Sequence, residues 1–330
     1  MSVAYLVRLM ESGQYEECLA EAAALLEKGE QSPESLARIY GAICRSHLAL
    51  GEYWAAVEAG EQAAALAQEA GAPDVRGAAL ADLGTALARV REYQRALQRF
   101  QEYLAGLDEY TAARCLEGEV RQRMAEVLDR CGRPAEALKA CRAARDWFRR
   151  YGDERSAALC SRTMMRLCLE TARPQEAVRH LAAVGRYAAK NPEDHRFVCD
   201  YLMDRAVLLL ALGDAHSAAG EAFRALEHAG DRLDQVARCQ LLLARCALVE
   251  DLPREALTFA LAARISAIDG RVYDLEMEAS DLLFRLLRTH GERLLREVEG
   301  DFRDVGLDIG QYLSEEVLRR IWQGDGADPA

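Results

Sequence analysis

Gly51-Glu52-Tyr53-Trp54-Ala55-Ala56 and Arg91-Glu92-Tyr93-Gln94-Arg95-Ala96 share a pattern that recurs along this chain of 330 residues. A copy opens with a small or turn-forming residue and a spacer, continues with Tyr, Pro or Ala, and places a small apolar residue three positions later. The copies begin at Gly13, Gly51, Arg91, Gly132, Ala172, Gly213, Asp251 and Gly291, and the last of them is degenerate. Regular spacing of about 40 residues is typical of a stacked repeat array.

Each copy predicts two helices. In the third copy, apolar residues recur at steps of three and four on both sides of the turn at Arg91, which is the period of a helix with one buried face. The turn is too short for anything but an antiparallel pair. The residues on this buried face are Leu80, Leu83, Gly84 and Leu87 before the turn and Ala96, Phe100 and Tyr103 after it. An array lengthens by adding units, so we expect one continuous all-α body.

Helix ends are also predicted. Ser32-Pro33 and Asn191-Pro192 each place a side-chain acceptor before a proline that suits a first helical turn. Second helices are expected to close at glycines with positive φ, namely Gly71, Gly152, Gly230 and Gly270.

Leu80-Ala81-Asp82-Leu83-Gly84-Thr85-Ala86-Leu87 mirrors the W-x2-L-G-x2-Y first helix of the tetratricopeptide repeat, with leucine for both aromatics. The sequence therefore resembles the tetratricopeptide repeat family over residues 1 to about 290. Its period exceeds the usual 34 residues, which indicates longer helices. Extended repeats of this kind are similar to those of bacterial peptide-sensing regulators and kinesin light chains. The resemblance implies an all-α, right-handed superhelical solenoid of about eight helical hairpins.

The expected organisation is a repeat solenoid over 1–290, a helical C-terminal cap over 291–323 and a disordered tail over 324–330. Because the chain enters its first repeat by about Tyr5, we expect no effector domain before it. A solenoid needs an atypical end segment to cover its last apolar face. The residues predicted to do so are Leu294, Leu295, Val298, Phe302 and Trp322.

Composition limits the classes of partner. The formal net charge of -12 and the pI near 5.2 argue against direct binding to nucleic acid or to an anionic membrane surface, although local basic patches remain compatible with them. We expect no signal peptide, and the sequence contains no apolar run long enough to span a bilayer. We expect a cytoplasmic protein.

Catalytic chemistry has no support in the sequence. It contains no P-loop, no dinucleotide fingerprint, no H-E-x-x-H and no nucleophile elbow. No two of the six histidines stand at the spacing of a helical ligand pair, and the ten cysteines are spread along the chain. Cys18, Cys44, Cys141 and Cys168 fall in interior slots, where they are expected to act as small hydrophobic residues. We predict a non-catalytic protein without cofactor, metal or disulfide.

The remaining candidate is the concave wall, which the first helices build in such arrays. An apolar floor with fixed guanidinium groups suits a protein segment, either an acidic amphipathic helix or an extended peptide. Copies four to seven are expected to contribute most of it. The residues predicted to contact the partner are Arg45, Gln122, Glu126, Arg162, Arg166, Met203, Leu210, Arg238, Leu241 and Arg245.

Two alternatives remain open. Arg162, Arg166 and Arg245 could instead hold a small anionic ligand, which would make the chain a regulatory sensor module. The charges could also pair only with each other, because first helices of successive copies alternate in sign. The alternating pairs are Glu119 and Glu126, Arg162 and Arg166, Asp200 and Asp204, and Arg238 and Arg245. Asn191 is the only asparagine, so Gln122, Arg or Asp would have to hold a peptide backbone.

Overall fold

The computed structural model describes residues 3–29, 31–304, 308 and 312, and within these residues the secondary structure is helical, with no strand. A short 3-10 helix, Ala113–Leu116, precedes α7. The α-helices are α1 Val3–Glu11, α2 Tyr15–Glu27, α3 Pro33–Leu50, α4 Tyr53–Glu69, α5 Pro73–Arg89, α6 Tyr93–Ala105, α7 Glu117–Arg130, α8 Pro134–Arg150, α9 Glu154–Glu170, α10 Pro174–Lys190, α11 His195–Ala211, α12 Ala215–Ala229, α13 Leu233–Val249, α14 Pro253–Asp269 and α15 Tyr273–Asp304.

The helices form two compact units, Met1–Leu167 and Cys168–Ala330, and the division falls within α9. In the first unit, α1/α2, α3/α4, α5/α6 and α7/α8 pair as hairpins, and the first helices α1, α3, α5 and α7 also contact one another in sequence. In the second unit, α11/α12 and α13/α14 pair in the same way, and α15 packs on α13 and α14. The predicted all-α architecture of stacked helical hairpins is confirmed.

The repeat signal marks the turn inside each hairpin. The opening residue of each of the first seven copies has a left-handed backbone, which ends the first helix and lets the chain reverse. Glycine adopts this conformation without steric cost, and three copies tolerate a side chain there. The φ angles are 75° at Gly13, 80° at Gly51, 65° at Arg91, 69° at Gly132, 54° at Ala172, 87° at Gly213 and 57° at Asp251.

Some predicted helix ends are confirmed and two are wrong. Ser32 caps α3 by accepting a hydrogen bond from Ser35 N at 3.2 Å, and Gly71, Gly152 and Gly230 have positive φ. Asn191 instead caps the end of α10, because its Nδ2 donates to Tyr187 O at 2.9 Å; Asp194 caps α11. Gly270 has a φ of -79°, and the next residue, Arg271, takes the left-handed turn.

The third hairpin has the predicted core. Its predicted residues are all buried, and Phe100 is completely inaccessible to solvent. The ring of Phe100 crosses so close to Gly84 that an added Cβ would lie 2.4 Å from Cε1. Glycine is required at this position because helix and ring approach each other more closely than any side chain permits.

The eighth copy does not form the predicted turn. α15 continues as one helix through Gly291 to Asp304. Its second half nevertheless covers apolar surface: Leu295, Val298 and Phe302 are buried in a cluster with residues of α14 such as Leu257. Trp322 and residues 324–330 lie outside the described residues, so the boundaries of the cap stay a prediction.

No helix in the described part of the chain combines the length and hydropathy needed to cross a bilayer.

Candidate functional site

The first helices of the first unit leave an open groove between them. It consists of two cavities, of about 360 and 300 Å³, which share Arg45, Asp82 and Leu116 in their walls. The larger lies over α1, α3 and α5, and the smaller over α3, α5 and α7. We call this surface the first-unit groove. Its further lining residues include Val3, Val7, Met10, Arg38, Leu48, Thr85, Arg89, Cys115, Glu119, Val120 and Arg123.

An ion pair occupies the centre of this groove. Arg45 Nε on α3 lies 3.1 Å from Asp82 Oδ2 on α5, and the Asp82 side chain is only 22% exposed. Burial raises the pKa of Asp82 to about 6, while the neighbouring guanidinium groups of Arg45 and Arg123 oppose that shift and Glu119 adds to it. The groove therefore presents a shielded carboxylate between cations, and its charge changes near neutral pH.

The two ends of the groove differ in polarity. Val3, Val7 and Met10 of α1 line the larger cavity, and the Val7 side chain is largely open to solvent. Arg89 and Arg123 line the smaller cavity at the other end. An elongated ligand would meet mostly apolar side chains at the α1 end, with Arg38 and Asp74 nearby, and guanidinium groups beside the Glu119 carboxylate at the α7 end.

The edge of the groove is built by the connection between the third and fourth hairpins. The Asp74 carboxylate on α5 accepts hydrogen bonds from Thr111 N at 2.8 Å and Ala113 N at 2.9 Å, and these bonds lower the pKa of Asp74. Tyr103 Oη donates to Ala113 O at 2.6 Å. The connection is thereby fixed against α5, which brings Cys115 and Leu116 to the groove wall.

Among the predicted contact residues of the first unit, only Arg45 lines the two cavities described above. Gln122 is half-buried and Glu126 exposed on α7. Arg162 is half-buried on α9. Arg166, also on α9, forms an ion pair with Asp129 of α7, with 2.7 Å between Nη2 and Oδ2.

In the second unit, the predicted apolar contacts need correction. Met203 and Leu241 are 8% and 3% exposed and belong to the hydrophobic core, because their helical positions face neighbouring helices. They offer no surface to a partner. Leu210 is half-buried, Arg238 lies 3.9 Å from Asp234 on its own helix, and Arg245 of α13 pairs with Glu278 of α15.

Charge pairing between first helices recurs in both units. Arg45, Arg166 and Arg245 each bind an acid on a neighbouring first helix. These pairs agree with the pairing alternative, and their acids, Asp82, Asp129 and Glu278, were not among those suggested by charge alternation. Asp82 was not among the residues predicted to contact a partner. It lies between Ala78 and Thr85 on one face of α5, so the helical spacing of three and four positions could have identified it.

Eight of the ten cysteines are buried between helices, and two of the histidines lie side by side. Cys141 Sγ donates to Cys160 O at 3.1 Å, and both thiols are buried, as are Cys18, Cys44 and Cys168. Burial and the hydrogen bond with Cys141 raise the pKa of the Cys160 thiol. His195 and His228 approach to 3.4 Å between Nδ1 atoms. In the described residues, no group of three or more His, Cys, Asp or Glu side chains is arranged to hold a metal ion.

No protein-family model and no curated protein matches this sequence. Several solved structures, in contrast, are similar to this chain in fold. RapI in its apo form aligns with a TM-score of 0.63 at 13% identity, covering 98% of both chains. NprR in complex with its cognate peptide NprX aligns with a TM-score of 0.58 at 13% identity, covering 98% of this chain and 93% of that one. The chain has a tetratricopeptide-repeat-like fold.

A third solved structure, the APC/C hetero-tetramer Cut9-Hcn1, extends beyond the length of this tetratricopeptide-repeat-like chain. It aligns with a TM-score of 0.57 at 16% identity over 86% of this chain, which spans only 48% of the matched one. At such identities the likeness concerns the fold, and function must be argued from the site.

Proposed function

We propose that this protein is a non-catalytic peptide-binding scaffold or sensor whose first-unit groove receives an extended segment of a partner protein. The observation that carries the proposal is the Arg45–Asp82 ion pair at the centre of an open groove. Binding sites typically combine apolar walls with a few fixed polar groups that orient the ligand. The groove has both, since Val7 and Met10 lie at one end and Arg89 and Arg123 at the other.

The ligand chemistry follows from this polarity. We expect an apolar side chain over α1 and an acidic group near Arg123, because a guanidinium group binds carboxylates through two parallel hydrogen bonds. Asp82 would accept hydrogen bonds from backbone N–H groups of the ligand, a task that asparagine cannot perform here because the chain has none outside position 191. NprR, a structural neighbour, was solved with its cognate peptide, which supports a peptide as the ligand class.

A small anionic ligand bound by first-helix arginines remains a second prediction. Its support is weaker, because Arg166 and Arg245 already have acidic partners that the ligand would have to displace. A thermal shift screen of small anions tests it, since a ligand at a hundredfold excess over its Kd stabilises the fold by about 2.7 kcal/mol.

The peptide proposal is tested by selecting binders from a random twelve-residue library on the full chain and measuring their Kd by fluorescence anisotropy. The double variant Arg45→Gln/Asp82→Asn should weaken binding about tenfold, or about 1.4 kcal/mol. Arg95→Gln/Glu61→Gln is the control, because this pair also joins neighbouring hairpins but does not line the cavities. Equal weakening by both variants, or a library that yields no binder, would contradict the proposal.

A further inference from the structure

Positive charge is concentrated in the middle of an acidic chain. Residues 131–190 contain thirteen Lys and Arg against six Asp and Glu, although the whole chain has a net charge of -12. The contrast is clear among the second helices of the hairpins. α2 and α4 carry acids and no Lys or Arg, whereas α8 carries five basic residues and two acids.

The basic residues of α8 share one solvent face. Its buried side consists of Ala137, Leu138, Cys141, Ala144 and Phe148, which follow the helical period. On the opposite side, Lys139, Arg142, Arg149 and Arg150 are all exposed. We call these four residues the α8 basic face.

The acids of α8 pair with cations outside this face, although Asp146 lies four positions from both Arg142 and Arg150. Glu136 pairs with Arg133 at 2.7 Å and Asp146 with Arg145 at 2.8 Å, so each already has a cation. In the part of the chain that the structure describes, Lys139, Arg142, Arg149 and Arg150 form no ion pair. The helix dipole favours cations in the last turn, which accounts for Arg149 and Arg150 but not for Lys139 and Arg142.

We propose that the α8 basic face docks an acidic protein segment. Four cations along a 17-residue helix, about 25 Å at 1.5 Å per residue, match the carboxylates of a short peptide. A nucleic acid fits less well, because a long uniform polyanion would extend from this face over a chain whose other residues are strongly acidic. Tyr151, which is 61% exposed and stacks on Trp147 at 4.3 Å, adds an apolar contact at the end of the face.

A second helix has the same character. α10, in the second unit, exposes Arg179, Arg186 and Lys190, and its only acid, Glu176, pairs with Arg173. Arg179 and Lys190 stand forty positions after Lys139 and Arg150, the spacing of the repeat. The basic character is therefore shared by equivalent positions of two successive second helices, α8 and α10. None of the α8 basic face lines the first-unit groove, so this surface is independent of the proposed peptide site.

The test uses the full chain and a labelled dodecapeptide with eight glutamates flanked by tyrosines. Wild type should bind it, and Lys139→Gln/Arg142→Gln/Arg149→Gln/Arg150→Gln should weaken binding about tenfold at physiological salt. The matched control neutralises four exposed arginines on α15, Arg285, Arg288, Arg293 and Arg303, and so changes the net charge equally. This control should change the Kd less than about twofold, and both variants should keep the wild-type melting temperature because exposed charges add little stability.

Three results would overturn the proposal: no binding by wild type, equal weakening by both variants, or tighter binding of a twelve-nucleotide single strand than of the peptide. If the fourfold variant fails to fold, Lys139→Gln/Arg142→Gln, which leaves the last turn of α8 intact, replaces it. That double variant should weaken binding about threefold, and an unchanged Kd would count equally against the proposal.

Discussion

Arg45 Nε and Asp82 Oδ2 lie 3.1 Å apart and join two first helices, α3 and α5, at the centre of the first-unit groove. Burial holds the pKa of Asp82 near 6, above its ordinary value of 3.8. The folded protein therefore binds this proton more tightly than the unfolded chain. Ionisation of Asp82 opposes folding, and this destabilisation is absent below about pH 4, grows as pH rises, and is complete above about pH 6.

Asp82→Asn should remove this pH dependence. The variant should gain stability relative to wild type as pH rises from 4 to 7, by no more than about 3 kcal/mol for a shift of roughly two pKa units. The attraction of Arg45 is already contained in this shift, because its guanidinium group opposes the rise in the pKa of Asp82. Melting temperatures of both proteins between pH 4 and 8 measure the effect. Asp146→Asn, at a largely exposed carboxylate, is the control, and parallel curves for Asp82→Asn and wild type would refute the account of Asp82.

Gly84→Ala should destabilise the third hairpin. The new Cβ would lie 2.4 Å from the ring of Phe100, and overpacking of a core costs about 1–3 kcal/mol. Gly220→Ala is the matched control on α12, because nothing lies within 4 Å of its added Cβ. That change should be stabilising by up to about 1 kcal/mol, the difference in helix propensity. Denaturant unfolding measures both, and a neutral Gly84→Ala would show that the predicted contact does not exist.

Gly291→Pro should be strongly destabilising. In the interior of α15, proline removes a hydrogen bond and clashes with the preceding turn, which costs about 3 kcal/mol or more. Gly291→Ala should stabilise the helix by roughly 0.5–1 kcal/mol. A left-handed turn at this position would give a different pattern, since alanine would then be strained there. Denaturant midpoints of the two variants therefore distinguish the continuous helix from a hairpin.

The sequence predicted the fold well because the hairpin turn has local requirements. Seven of the eight copies open on a left-handed residue, and the spacing of those residues defines the array. The turn predicted at the start of the eighth copy does not form, and the reason is physical. Gly291 is followed by Arg293 and Arg296, where other copies place a turn aromatic, proline or alanine and a small apolar residue. Arginine is a good helix former, and a single glycine costs too little to end a helix that packs on α14.

The groove was harder to predict than the fold. Arg45 was identified, but its partner Asp82 was not, and neither was Asp129, which pairs with Arg166. Which acid a first-helix arginine contacts depends on the lateral register of neighbouring hairpins, and charge alternation along the sequence does not contain that register. Met203 and Leu241 were placed in the groove because their helical faces are apolar, and the same apolarity buries them in the core.

Folding should require neither metal nor disulfide. The ten cysteines are free thiols, eight of them buried, and their positions fit packing rather than cross-linking. Treatment with chelator or with reductant should leave helical circular dichroism and the melting temperature unchanged. A large loss of either signal with one reagent would identify the missing bond, since metal and disulfide contributions are removed by different reagents.

The most direct test of the peptide proposal is hydrogen–deuterium exchange of the full chain with and without a saturating library-selected peptide. Local opening of helices sets their exchange rates, and a ligand in the groove should suppress it. The account predicts slower exchange in α3, α5 and the Ala113–Leu116 turn, with α4 and α6 unchanged. Protection confined to second helices, or no change at all, would contradict binding in the first-unit groove.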